Sequence, residues 1–249
     1  MNTDRDFLLG EARRLLDFGR AAGLPSGGAA YLDDDGRPDP ARGVHTWITA
    51  RTVHSQALGH LLGVPGSREV AELALRGLWS DDASRPALLH DDEHGGWFNA
   101  VSAAGEPTAA GSKLAYDHSF VMLAGASATL AGLAGGPELL AEATGVFLER
   151  FWDEEYGRPV DTWNRDFTTA DPYRGLNSTM HTVEALLTVS SAVRYLRHGG
   201  DGGHCCRAEP AEGGPAAVAY RDSETHHRHA PSVPALPTSL GTPCAWIRR

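Results

Sequence analysis

The sequence predicts an all-α protein whose helical hairpins stack side by side into a toroid or solenoid, with short β-hairpins in the loops and a disordered C-terminal tail. Three observations lead there. Apolar residues recur at helical spacing in six segments. Two of those segments align with one another at an interval of roughly sixty residues. The periodicity then stops near Tyr195, where Gly, Ala, Pro, Arg and His take over.

The first helix is read from Leu8, Leu9, Ala12, Leu15, Leu16 and Phe18, and the second from Trp47, Ile48, Val53, Leu58, Leu61 and Leu62. Four more span Val70 to Trp79, Tyr116 to Leu133, Glu138 to Phe151 and Asn177 to Tyr195. Between them, Gly95–Val101 and Tyr156–Trp163 read as short strands bounded by Gly-rich or Gly-Pro turns. The segments His118–Leu130 and His181–Val193 align without gaps, and each follows a Trp-Ser-Asp-Asp or Trp-Asp turn, a Gly-containing hairpin and a linker. A helix–hairpin–helix unit of this size cannot bury its own apolar face, so neighbouring units complete the core. The expected boundaries are a partial helical barrel over residues 1–195 and a disordered or aberrant tail over 196–249. A repeat helix that runs into alien sequence without completing another unit is also what a shifted reading frame in G+C-rich DNA produces.

Charge divides at the same place. Seven of the 22 basic and five of the 32 acidic side chains lie from Arg194 onward, leaving the body near −12 and the tail near +2. An acidic body without a basic patch argues against nucleic acid or an anionic membrane as a partner and favours a neutral small molecule. Cys205, Cys206 and Cys244 all lie in the tail; a body without cysteine cannot depend on disulfides, which suits the cytoplasm. Met1–Asp6 lacks the pattern of a signal peptide, and Val121–Ala134, the most apolar stretch, is too short and Gly-rich to span a bilayer.

The most informative run is Asp171–Ala185. If its helix starts near Asn177, then Asn177, Met180, His181 and Glu184 fall at i, i+3, i+4 and i+7, one stripe of the helical repeat. Amide, thioether, imidazole and carboxylate groups suit the wall of a pocket for a polyhydroxylated ligand. The same residues also fit a capped helix with a satisfied core histidine. Trp47 and Arg51 can be read in two ways as well, as ligand-binding groups or as a core tryptophan and a surface arginine. His118 is either a pocket residue or a buried helix-start histidine bonded to backbone, and His54 and His60 share the second helix at positions that favour a packing or exposed role and stay unassigned. Asp33–Asp35 and Asp91–Glu93 lack the alternating ligands and the glycine of a calcium loop and read as solvated loops. His204-Cys205-Cys206 and His226–His229 lack the paired spacing of a built zinc site.

Thr46–Arg51, Gly95–Phe98, Lys113–Phe120 and Tyr173–Glu184, in that order and spacing, resemble the N-acylglucosamine 2-epimerase superfamily, especially its bacterial aldose–ketose isomerases acting on mannose-like sugars. The resemblance covers roughly residues 1–193. It implies an (α/α)6 barrel, of which this chain carries an incomplete part, and an isomerase or 2-epimerase that works by enediol proton transfer. By the same resemblance no cofactor or metal is needed and the partner is a small sugar, with a homo-oligomer as a further possibility. Trp47 is then a sugar platform, Arg51 binds hydroxyls or the developing oxyanion, and Tyr116, Asn177 and Met180 line the pocket. Glu184 orients its neighbours, while His181 binds the sugar and helps ring opening. The family's two proton-transfer histidines lie in its second half, and neither motif is present. The chain is therefore expected to be inactive or nearly so, and a non-catalytic carbohydrate-binding or regulatory fragment is the alternative.

Overall fold

The computed structural model describes residues 3–197. The tail expected to be disordered, with its three cysteines and five histidines, lies outside the described residues. The chain divides after Val193 into two units, and the core belongs to the first, Met1–Val193.

Six helices follow the apolar periodicity: α1 (Thr3–Phe18), α2 (Thr46–Leu61), α3 (Ser67–Leu75), α4 (Ala115–Leu130), α5 (Gly136–Val146) and α6 (Leu176–Arg197). The row α2, α4, α6 is backed by α3, which packs on α2, and by α5, which packs on α4. Fourteen of the sixteen residues of α4 are buried, which makes it the centre of the body, and after Tyr116, Asp117 and His118 in its first turn its sequence is apolar or small all round. Gly125 explains how closely α5 approaches it, since a Cβ there would stand 2.7 Å from the backbone nitrogen of Leu140. Between α4 and α6 the contact includes a small polar pair, Ser119 Oγ 3.1 Å from Thr182 Oγ1.

The third and fifth segments are shorter as regular α-helix than the periodicity suggested. Leu78 and Trp79 lie beyond α3, and Phe147–Phe151 forms a π-helical turn after α5. Burial keeps the apolar spacing in both places: Leu78, Phe147 and Phe151 are each fully buried. On α1, Phe7, Leu8, Leu15 and Phe18 are about half exposed or more.

The strands differ more from expectation. β1 (Ala30–Leu32) and β2 (Pro38–His45) form a hairpin that the sequence reading left out, and β3 (Ala100–Val101) joins β2 rather than a local neighbour. The Asp33–Asp35 loop is the turn of that hairpin, where Asp33 Oδ1 accepts from the amides of Asp35 and Arg37. β5 (Trp152–Asp153) pairs with β6 (Arg158–Pro159), whereas β7 (Thr162–Trp163) pairs with β4 (Lys113–Leu114) directly before α4.

These ladders fix where the helices of the row begin. Thr46 at the start of α2 bonds through its amide and its hydroxyl to the carbonyls of Asn99 and Phe98. Ala115 at the start of α4 donates to the Asp161 carbonyl, and the Asp161 carboxylate in turn accepts from the Gly175 amide and from Ser178 Oγ at the start of α6. At each of these helix starts a donor thus finds an acceptor on a neighbouring loop. Among the described residues no helix is long and apolar enough to cross a membrane.

Candidate functional site

Three helical stripes meet in front of the row. Trp47, Arg51 and His54 recur at i, i+4 and i+7 on α2, Tyr116, Phe120 and Ser127 at i, i+4 and i+11 on α4, and Asn177, His181 and Glu184 at i, i+4 and i+7 on α6. Their aromatic rings make a continuous wall. Tyr31 lies 5.8 Å from Trp47, Trp47 6.3 Å from Tyr116, and Tyr116 5.3 Å from His181, all edge to face, and Phe120 lies 4.7 Å from His181.

Arg51 sits against this wall. Its guanidinium carbon is 4.3 Å from the Phe120 ring centroid and 5.5 Å from that of Trp47, within range of cation–π attraction. Among the described residues its N–H groups have no hydrogen-bond or ion-pair partner, so two ring faces hold a cation whose donors stay available. Beside it, His181 Nδ1 is 2.9 Å from Glu184 Oε2. An ionised carboxylate only accepts, so the Nδ1 proton lies in that bond and Nε2 is the ring nitrogen left to meet a ligand.

The structure splits the stripe that the sequence grouped together. His181 packs on Tyr116 and Phe120, and Asn177 borders a shallow cavity of about 300 Å³ lined also by Tyr116, Asp161 and Tyr173. Met180 is 54% exposed and Leu176 82%. The packed side of α6 is Ser178, Thr182, Ala185, Val189 and Ala192. Met180, about 100° around the helix from His181, lies on the exposed side of α6 with Leu176, while Ser178 in the same turn is buried.

Some site features escaped the sequence reading. Tyr31 belongs to the unforeseen hairpin. Phe120 lies one turn after Tyr116 at helical spacing, a signal that was present. His54 Nδ1 is 2.6 Å from Ser127 Oγ across a gap of 73 residues that no local pattern reveals. Its pKa is lowered by burial, against the Glu184 carboxylate, which favours the charged ring.

Behind the wall lie groups that act as scaffold. His118 is fully buried. Its Nδ1 donates to the Leu114 carbonyl at 2.8 Å and its Nε2 accepts from the Trp97 amide at 3.1 Å, which decides for the backbone-bonded reading. Gly96, at φ +69°, permits this approach, for a Cβ there would stand 2.7 Å from that Nε2. Asp91 is no solvated loop residue. It is 1% exposed, 2.9 Å from the buried Lys113 ammonium, and held in a fork by Arg165 at 2.9 and 3.0 Å. Burial alone would raise its pKa, but these donors and charges outweigh it and hold the carboxyl below its ordinary range. Among the described residues no cluster of three or more His, Cys, Asp and Glu side chains is arranged to hold a metal.

The family model described as N-acylglucosamine 2-epimerase matches residues 27–198. A D-mannose isomerase of Thermobifida fusca is 48% identical over 188 residues, which are 76% of this chain and 44% of that protein. A D-mannose isomerase of Pseudomonas cannabina pv. alisalensis is 40% identical over 180 residues, 72% of this chain and 41% of that protein. The chain therefore spans less than half the length of these curated relatives. Among solved structures, a D-mannose isomerase superposes with a TM-score of 0.64 at 22% identity, over 78% of this chain and 48% of that one. The cellobiose 2-epimerase of Spirochaeta thermophila gives 0.64 at 24% identity, over 79% and 52%. At these identities the likeness is one of fold.

Proposed function

Because this chain belongs to the N-acylglucosamine 2-epimerase family, we propose that its aromatic wall is one side of a site for a reducing aldose, mannose or a close relative, in an incomplete (α/α)6 toroid of the cytoplasm. The reaction the site serves is aldose–ketose isomerisation through an enediol, or 2-epimerisation. One observation carries this reading: a guanidinium without a polar partner among the described residues, held across Phe120 and Trp47, stands beside an imidazole oriented by a carboxylate. Aromatic faces suit the C–H faces of a sugar. Arg51 stabilises negative charge as it develops on the carbonyl oxygen. His181 Nε2 binds the sugar, takes the anomeric hydroxyl proton and returns it to the ring oxygen as the C1–O5 bond breaks and the ring opens.

The family resemblance puts the carbon-acid proton-transfer pair in a half that the match does not reach, so turnover by this chain is expected to be at trace level. A partly enclosed site competes poorly with water, and dissociation constants in the millimolar range are expected, roughly −4 kcal/mol. NMR titration with D-mannose tests the reading. Arg51→Ala and His181→Ala should each remove a saturable response in folded protein, and binding unchanged in both variants would place the ligand elsewhere.

A second reading, a carbohydrate-binding fragment that pairs with a second chain, is favoured by the exposed side of α6. Leu176, Met180, Val183 and Leu187 are 54 to 82% exposed, whereas Lys113, Asp117, Phe120 and Ala124, which occupy the same places in the aligned repeat, are buried. Saturation by D-mannose without any D-fructose formed, in protein that self-associates, would select it over the enzyme.

A further inference from the structure

We propose that His54 is an additional substrate-binding residue of this site, its Nε2 taking a sugar hydroxyl one helical turn deeper than Arg51. The inference rests on the sugar-binding reading above and extends it. The stripe of α2 that carries Trp47 and Arg51 continues into His54, so the three side chains lie on one face in three successive layers. Opposite the third layer stand Ser127 of α4 and Glu184 of α6, which places polar groups from all three helices of the row at that depth.

The bonding of the ring separates a binding role from a packing role. Nδ1 is taken up by Ser127 Oγ at 2.6 Å, and Ser127 is 2% exposed, which makes it a fixed anchor. Nε2 has no hydrogen bond among the described residues and is absent from the buried unpaired atoms, so it keeps some access to solvent. A fully buried packing histidine satisfies both nitrogens within the protein, as His118 does. His54 instead spends one nitrogen on orientation and leaves the other free. Burial keeps the ring mostly neutral, so Nε2 meets a hydroxyl as donor or acceptor according to the proton in the Ser127 bond.

D-Mannose titrated into the full chain tests this, read by the imidazole resonances in NMR and by thermal melts that confirm folding. In the unsubstituted protein the His54 Hε1 resonance should shift and saturate together with that of His181, while the buried His118 stays still. His54→Asn keeps an amide near the position of Nδ1 and lacks the outer nitrogen, and it should weaken binding about tenfold. His54→Gln places its amide near Nε2 and should recover most of that loss. If the anchor on Ser127 were all that mattered, Asn would bind as the unsubstituted chain does and Gln would fail. That pattern, or a His54 resonance unmoved while His181 shifts, overturns this inference alone. No response at any site resonance overturns the proposed function and this inference with it.

Discussion

Asp117 and His118 are neighbours in the first turn of α4, and burial pushes them in opposite directions. The Asp117 carboxyl is fully buried, with one oxygen 2.9 Å from Asn99 Nδ2 and the other without a partner. Burial outweighs the Asn99 bond and raises its pKa to about 7, while His118 is lowered by burial to about 3. A raised carboxyl contributes stability that is present below the unfolded value of about 4 and is lost as pH rises towards 7. A depressed imidazole contributes stability that is present above about 6.5 and is lost as pH falls towards 3. The two slopes oppose one another between about pH 4 and 6.5. Asp117→Asn removes the first and keeps a group that can bond Asn99, so urea melts of that variant should show stability rising from pH 4 to 7 more steeply than in the parent. Parallel profiles for the two proteins would mean that Asp117 is ionised in the fold. Nothing in the sequence marked Asp117, because a carboxylate in a first helical turn ordinarily faces water and favours the helix dipole.

At the scale of elements, Asp91 ties the loop before β3 to β4 and to the loop after β7, and through the β4–β7 ladder it sets where α4 begins. Lys113 is completely buried, so taking away its counter-charge leaves an ammonium with only the Gly95 carbonyl, in range of the Phe167 ring. Asp91→Ala should therefore destabilise the body by about 3–5 kcal/mol, far more than removal of an exposed ion pair such as Arg68–Glu72. Denaturant midpoints of the two variants give the comparison, and a loss below about 1 kcal/mol for Asp91→Ala would contradict the buried triad. The helices were legible because apolar spacing reports the face of a helix directly. The β1–β2 hairpin was not, since Pro38–His45 shows little alternation and only two of its eight residues, Gly43 and Val44, are buried, whereas β3 falls within the strand read over Gly95–Val101. Acidity and loop setting made Asp91 look solvated, and its partners lie 22 and 74 residues further along the chain.

For the molecule as a whole, the exposed side of α6 is the main unpaired apolar surface near the site among the described residues. Leu176, Met180, Val183 and Leu187 recur at i, i+4, i+7 and i+11, a spacing that suits one more packed helix. At high concentration the chain is expected to self-associate through this stripe, and Val183→Glu with Leu187→Lys should shift light-scattering mass towards the monomer. An unchanged mass in the double variant would place any association elsewhere. The sequence by itself determined the helical class, the family, and the residues Trp47, Arg51, Tyr116 and His181 that stand together in the wall, because each lies on a local periodicity or a short motif that survives without knowledge of the fold. Only the tertiary structure decided that Phe120 and Trp47 share the Arg51 cation, that Ser127 anchors His54, that Asp91 is buried with Lys113, and that Met180 turns to solvent while His181 turns inward. Those outcomes depend on which helices become neighbours, and burial and pairing between residues tens of positions apart leave no local periodicity to read.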